Sequence, residues 1–319
     1  MKFAPKVAGL PASEAALPKG ERILLTGGGG QVGRELGLML ASLGEVVVPG
    51  RAEMDLSDAG SVRAAVRRVR PRWILNAGAY TAVDKAESEP EVARAVNAVA
   101  VAVMAEEALA LGAGVLHFST DYVFDGAKPE PYTEEDATGA VNVYGRTKLE
   151  GEQALQNSGA GHAIFRTSWV FGSTGKNFVM TILKLAQDRD TLKIVADQHG
   201  SPTWSRDLAA LTTRFISVCE QRSHGEDLCE VMDDVGGLYH AAGSGYTTWH
   251  EFASEVLALA KRREPSVRLA ELAPITTAEF PAAARRPANS RLSCARLEDR
   301  LGWTMMRWQE SLGQVMAEL

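Results

Sequence analysis

Cysteine is scarce in this chain. Cys219, Cys229 and Cys294 are an odd number without metal-ligand spacing, which argues against a disulfide framework or a cysteine-bound zinc site and for reduced thiols. Long basic runs are missing too. The formal net charge is -6, the wrong sign for a nucleic-acid partner. No apolar stretch is long enough to cross a bilayer. Lys2 and Lys6 raise the question of a signal peptide, but Pro5, Gly9 and Pro11 interrupt any apolar segment there. Residues 1–20 therefore read as a flexible leader, and the expected location is cytoplasmic, with no membrane partner. Internal repeats and low-complexity tracts are also lacking. What remains is 319 residues, 45% hydrophobic and 23% charged, enough for one large soluble domain or two unequal ones.

Short apolar runs alternate with helical patterns. Strands are expected at Arg22 to Thr26, Val46 to Val48, Trp73 to Asn76, Val115 to Phe118, Ala163 to Thr167 and Leu238 to Ala241. Helices are expected at Gln31 to Leu43, Ser61 to Arg70, Glu91 to Leu111 (entered through Pro90) and Val143 to Gln156. Such alternation predicts βαβ units in an α/β, Rossmann-type doubly wound parallel sheet with a smaller C-terminal substrate-binding lobe. The expected division is 21–175, continued by about 197–247, for the dinucleotide-binding part. The lobe would take 176–196 and 248–319.

Between the first strand and first helix stand Gly27-Gly28-Gly29-Gly30-Gln31-Val32-Gly33. A turn of this kind aims backbone N–H groups and a helix N-terminus at a pyrophosphate, and Gly33 would let helix and sheet approach closely. A plain flexible turn would show the same glycines, but here strand and helix flank them. After the second strand comes Pro49-Gly50-Arg51, with no carboxylate before Glu53. Arg51 could pair with the 2'-phosphate of NADPH, or be a solvated surface arginine. Asp55-Leu56 could border the adenine, or Asp55 could cap the next helix. Small residues in Asn76-Ala77-Gly78-Ala79-Tyr80-Thr81 would permit backbone approach to a cofactor.

Thr120 follows the fourth strand, at the carboxyl edge where open α/β sheets bind ligands. Tyr144 and Lys148 stand one helical turn apart and share a face. A free phenol titrates near ~10 and is a sluggish acid at neutral pH; the Lys148 charge would lower that value, and its ammonium could hold a nicotinamide ribose. Chance alone produces many Tyr/Lys pairs. In order with the glycine loop and Thr120, this pair points to nicotinamide-dependent carbonyl reduction.

These residues resemble the extended short-chain dehydrogenase/reductase superfamily and, more closely, the dTDP-4-dehydrorhamnose reductase family. The resemblance rests on Thr81-Ala82-Val83-Asp84-Lys85-Ala86-Glu87, Ser119-Thr120-Asp121-Tyr122-Val123-Phe124, Asn142-Val143-Tyr144-Gly145 and Phe165-Arg166-Thr167-Ser168-Trp169. It continues through Asp197-Gln198, Tyr239-His240, Thr248-Trp249-His250, Arg286-Pro287 and Ser290-Arg291-Leu292, covering about residues 21 to 312. It implies NAD(P)H-dependent reduction at C4 of dTDP-4-dehydro-β-L-rhamnose, with Tyr144 as proton donor, Thr120 orienting the oxygen and Lys148 tuning Tyr144. It further implies that Gly27, Gly30, Gln31, Val32, Asp55, Leu56, Ala79, Tyr80 and Thr81 line the cofactor. Thr120, Asp121 and Trp169 would contact the sugar nucleotide. Independently of the resemblance, the C-terminal Arg286 and Arg291 could meet its diphosphate, or serve in surface ion pairing or packing of the small lobe. Family members have been described with a cation held by glutamates between subunits. Glu35 matches one such position, but Arg206 stands at a second and cannot ligate a metal. Glu35 at most is then a ligand, Mg2+ is in doubt, NADPH is favoured with NADH allowed, and a homodimer stays open.

Dehydratases on this scaffold typically carry a carboxylate pair after the threonine; here Asp121 is followed by Tyr122, which disfavours dehydration. An epimerase or a reductase of another nucleotide 4-ketosugar is excluded less firmly. A non-catalytic nucleotide-binding regulatory subunit is the alternative of a different class.

Overall fold

A computed structural model describes residues 16–224 and 228–319. Residues 1–15 of the expected leader lie outside the described residues. Its end is not loose: Leu17 is buried in the main core and its N–H donates to the Leu43 carbonyl at 2.7 Å.

Six strands form one parallel sheet: β1 (Arg22–Thr26), β2 (Glu45–Val47), β3 (Trp73–Asn76), β4 (Gly114–Thr120), β5 (His162–Thr167) and β6 (Gly237–His240). Their spatial order is β2-β1-β3-β4-β5-β6. Ile23, Leu24 and Leu25 are fully buried, as are Ile74 and Leu75, because helices cover both faces and leave the central strands no solvent side. One face carries the cluster of Leu25, Leu36, Leu116, Phe165 and Phe215, the other that of Leu24, Val66, Ile74, Met104 and Ile164. The chain reverses its direction of growth between β1 and β3, and such a switch point opens a crevice at the carboxyl ends of the strands.

The helix Val143–Gln156 begins where Asn142 Oδ1 accepts from the Gly145 N–H at 2.8 Å. A Cβ on Gly145 would lie 2.1 Å from the Tyr122 carbonyl oxygen. Only glycine lets this helix settle so close to the turn after β4, and that approach brings Tyr144 over the Thr120 end of the strand.

A second core gathers Phe171, Val179, Ile182, Phe252, Val256, Trp308 and Leu312. Around it stand the helices Phe178–Asp188, Trp249–Arg263 and Trp308–Glu318 and the parallel pair Thr191–Val195 with Glu271–Ile275. Leu297 and Met305, however, pack into the main core, so the C-terminal segment returns to the sheet before its last helix.

Candidate active site

A cleft of about 1010 Å³ opens at the switch point. Its floor is the glycine loop, and its walls include Arg51, Asp55, Leu56, Tyr80, Tyr144 and Lys148. Gly27, Gly30, Gln31, Val32, Ala79 and Thr81 also line it. Gly33 does not. It was expected both among the cofactor-binding residues and as the residue that lets helix and sheet approach closely; a Cβ there would fall 2.1 Å from the Gly27 carbonyl oxygen, which fits the second expectation. The helix Gln31–Met39 starts at Gly30 with no side-chain cap and no acidic residue in its first turn. Its leading N–H groups are thus open to an anion.

At the far end of β2, Arg51 projects with its side chain 83% exposed and pairs with Asp55 at 3.3 Å. Asp55 caps no helix. It accepts from the Ser57 N–H and hydroxyl, while Asp58 caps Ala59–Val69 by accepting from the Gly60 N–H at 2.8 Å. The Ser57 hydrogen bonds and Arg51 hold the Asp55 carboxyl below its usual range. Glu53 turns away and accepts from the Gly50 N–H.

On the opposite wall, Tyr144 is half-buried, its ring edge-on to Tyr122 at 5.9 Å and its hydroxyl near the Thr120 side chain. Burial pushes the phenol up to about 12, partly opposed by the Thr120 hydroxyl. The sequence led us to expect a phenol lowered by Lys148. In the structure Lys148 Nζ instead donates to the Phe118 carbonyl at 2.6 Å and meets His117 Nε2 at 3.1 Å. Burial lowers Lys148 to about 8, with Glu152 pulling it back up.

Thr120 and Asp121 are buried behind Tyr144 and do not line the cleft. Thr120 Oγ1 donates to Asp121 Oδ1 at 2.9 Å and accepts from the Tyr122 N–H. Burial raises the Asp121 carboxyl to about 7, moderated by the Ser290 and Thr120 hydroxyls. Trp169 and Arg286 also stand away from the main cleft. Trp169 has φ +46°, a backbone region costly for a bulky residue, and its indole stacks on Trp249 at 3.6 Å. Arg286 forms a two-pronged pair with Asp84, at 3.0 and 2.7 Å, beside a second cavity of about 400 Å³. Trp249 and Asp84 stood in the stretches that carry the family resemblance, but the stacking of the one and the ion pair of the other were not expected from sequence.

Asn97 was also missed. Residues Ala95–Val99 form a π turn inside the expected continuous helix. There Asn97 accepts from the Tyr80 N–H at 2.8 Å and donates to the Tyr80 carbonyl at 3.1 Å. It thereby fixes the Ala79–Tyr80–Thr81 wall of the cleft.

Glu35 is held in an ion pair. Arg206 donates to it at 2.9 Å and also pairs with Glu318, while the guanidinium lies over Trp204. Among the described residues no group of His, Cys, Asp or Glu is arranged to hold a metal ion. No described helix is long and apolar enough to cross a membrane.

Comparison with known proteins agrees with this geometry. The family model described as "RmlD substrate binding domain" matches residues 21–319. A dTDP-4-dehydrorhamnose reductase of Burkholderia thailandensis is 42% identical over 301 residues, 93% of this chain and 99% of that one. A crystal structure of a dTDP-4-dehydrorhamnose reductase from Clostridium acetobutylicum superposes with a TM-score of 0.83 at 34% identity, covering 93% of this chain and 99% of that one. Another from Bacillus anthracis, in complex with NADP, gives 0.82 at 32% identity, covering 94% and 99%. The chain belongs to the RmlD family of dTDP-4-dehydrorhamnose reductases.

Proposed function

We propose that this chain reduces the C4 carbonyl of dTDP-4-dehydro-β-L-rhamnose to dTDP-L-rhamnose with NADPH, in the cytoplasm. The observation that carries the reading is the meeting of Tyr144, backed by Thr120, with an uncapped helix N-terminus across one cleft. The fit to a dinucleotide is physical. A side chain at Gly28 would strike Val48 at 2.3 Å, whereas Gly29 faces open space, so the loop is shaped to bring bare backbone to a phosphate. When bound, the nicotinamide supplies the hydride.

The chain's own residues do the rest. The loop and first helix turn would hold the pyrophosphate, Leu56 and Asp55 would border the adenine, and Lys148 would bond the nicotinamide ribose. Thr120 would orient the carbonyl oxygen, and Tyr144 would give it a proton as negative charge develops there. Arg286 would take the sugar nucleotide from the lobe of 176–196 and 248–319, and Asp121 and Trp169 would reach it from the dinucleotide-binding part, 21–175 with 197–247. The test is NADPH oxidation by the purified chain given the 4-ketosugar made in situ, with dTDP-L-rhamnose as product. No turnover while NADPH still binds would move the reading to another 4-ketosugar or to a regulatory subunit.

Two results follow from the cleft walls. Arg51→Ala is expected to raise the Kd of NADPH about tenfold, since a charge-assisted contact to the 2'-phosphate is lost. Its surface pair with Asp55 is weak enough to be exchanged for that phosphate. NADH binding should stay nearly unchanged; equal losses for both cofactors, measured by fluorescence titration, would remove the role of Arg51. Chelator should leave turnover unaltered, because Arg206 already neutralises Glu35. Activity that disappears with EDTA and returns with Mg2+ would contradict this.

A further inference from the structure

A row of hydrogen-bonded polar side chains crosses the sheet beneath the site. Thr26 on β1 is the register partner of Asn76 on β3, and Asn76 is the register partner of His117 on β4. Register partners in adjacent strands share a face, so the three form one line. Thr26 donates to Asn76 Oδ1 at 2.6 Å, Asn76 Nδ2 meets His117 Nδ1 at 3.0 Å, and His117 Nε2 meets Lys148 Nζ at 3.1 Å. At the other end, the Gly78 N–H of the cleft wall donates to the Thr26 hydroxyl at 3.1 Å. All four side chains are buried, none more than 3% exposed. Apolar residues would fill such a row at lower desolvation cost, so its polarity asks for a purpose at Lys148.

We infer that His117 is a positioning residue for Lys148, exchanging between its two neutral tautomers according to whether Lys148 is ammonium or amine. This takes from the proposed reaction only that Lys148 works as an ammonium. A neutral imidazole carries one N–H. With Asn76 presenting its nitrogen to Nδ1, the ring proton is on Nε2, and every donor then points one way, from Gly78 through Thr26, Asn76, His117 and Lys148 to the accepting Phe118 carbonyl. That arrangement suits an amine, whose lone pair accepts from Nε2–H. An ammonium has no lone pair. It requires Nε2 as acceptor, the proton on Nδ1, and the Asn76 oxygen turned to the ring with its nitrogen donating to Thr26. Between the two states Lys148 loses one proton to solvent, while the ring keeps one proton and holds it on the other nitrogen.

The charged surroundings leave His117 neutral throughout: burial, then the Lys148 charge, holds it well below its usual value. Facing Lys148 are Glu152 one turn along its own helix, paired with Arg166 of β5, and Tyr144 one turn back, with Asp121 behind it. From the helices packed across, Lys85 with Glu89 lines the cleft, and Arg94 pairs with Glu150 on the outer side. Among these, the Asp121 carboxyl at about 7 and the amine at about 8 both change charge near neutrality, and of the two the amine is the one in contact with His117.

The deciding measurement is NMR of the cofactor-free full chain carrying isotopically labelled histidine and lysine, titrated from about pH 6 to about pH 10. The His117 ring signals are assigned by their loss in His117→Gln. The expected result is a proton on Nδ1 at the acidic end and on Nε2 at the basic end, with the midpoint shared by the Lys148 side chain. A tautomer fixed across the range, or a midpoint that Lys148 does not share, overturns the inference. In turnover, His117→Gln places a side-chain amide oxygen as permanent acceptor and should move the basic limb of kcat up by about one pH unit. His117→Leu should move it down and lower kcat, with KM for the ketosugar little changed. Loss of thermal stability with no movement of the limb would reduce His117 to packing and count against us. Should the wild type turn over no ketosugar, the proposed reaction fails, while the tautomer titration still decides the role of His117.

Discussion

Tyr144→Phe is expected to lower kcat by about 10³-fold, within the range general acids supply, and to leave NADPH affinity nearly unchanged. Phenylalanine keeps the ring that packs edge-on to Tyr122 and keeps the cleft wall intact. It removes only the oxygen that meets Thr120. Burial raises the phenol to about 12, and the sign matters. A raised value keeps the proton on Tyr144 through the neutral range, so the donor form is fully populated before the carbonyl arrives. The oxygen that forms on the substrate is an alkoxide, a stronger base than the phenolate, and takes the proton even from so weak an acid. Thr120 has a single proton, now given to Asp121, and must turn to meet the substrate oxygen. Thr120→Val should therefore also lose turnover, with the phenol driven still higher. Stopped-flow hydride transfer compared with equilibrium cofactor binding checks this. Turnover of Tyr144→Phe within tenfold of wild type would assign the proton to another group.

How much of this was legible in the sequence follows from range. The central strands are short apolar runs between glycine, proline and charged turns, and the structure places strands at each of the six expected runs. The helix Val143–Gln156 carries its own cap in Asn142, so Tyr144 and Lys148 could be put on one face without knowing what lay opposite. What could not be read depends on partners far along the chain. Ala95–Val99 is locally a good helix, and nothing in it announces a π turn until the Tyr80 backbone needs Asn97. His117 reads as an interruption of an apolar strand until Asn76 and Lys148 stand on either side. The same distance hid the direction of Lys148, expected to act on Tyr144 but held by the Phe118 carbonyl. Gly33 carried two readings: spacing joined it to the loop glycines, and the close approach also expected of it is what a Cβ 2.1 Å from the Gly27 carbonyl oxygen would forbid.

Glu152→Ala should destabilise the fold by about 3–5 kcal/mol, the usual cost of leaving one member of a buried ion pair without its partner. Arg166 and Glu152 meet through two hydrogen bonds, at 2.9 and 2.6 Å, with side chains 4% and 0% exposed. The guanidinium also lies over the Phe124 ring at 5.1 Å. Alanine would remove both acceptors and leave an arginine that cannot shed its charge. The double variant Glu152→Leu with Arg166→Met should recover most of that loss, because apolar side chains of similar volume avoid the desolvation both charges suffer. Urea unfolding of the two variants measures the difference; a single variant within about 1 kcal/mol of wild type would mean water reaches Arg166. The pair also bears on the site. Glu152 raises the Lys148 value against burial, so in the double variant the amine should lose its proton at lower pH. Stability restored with the basic limb of kcat displaced downward would separate the two duties of Glu152, holding the helix to β5 and keeping Lys148 charged.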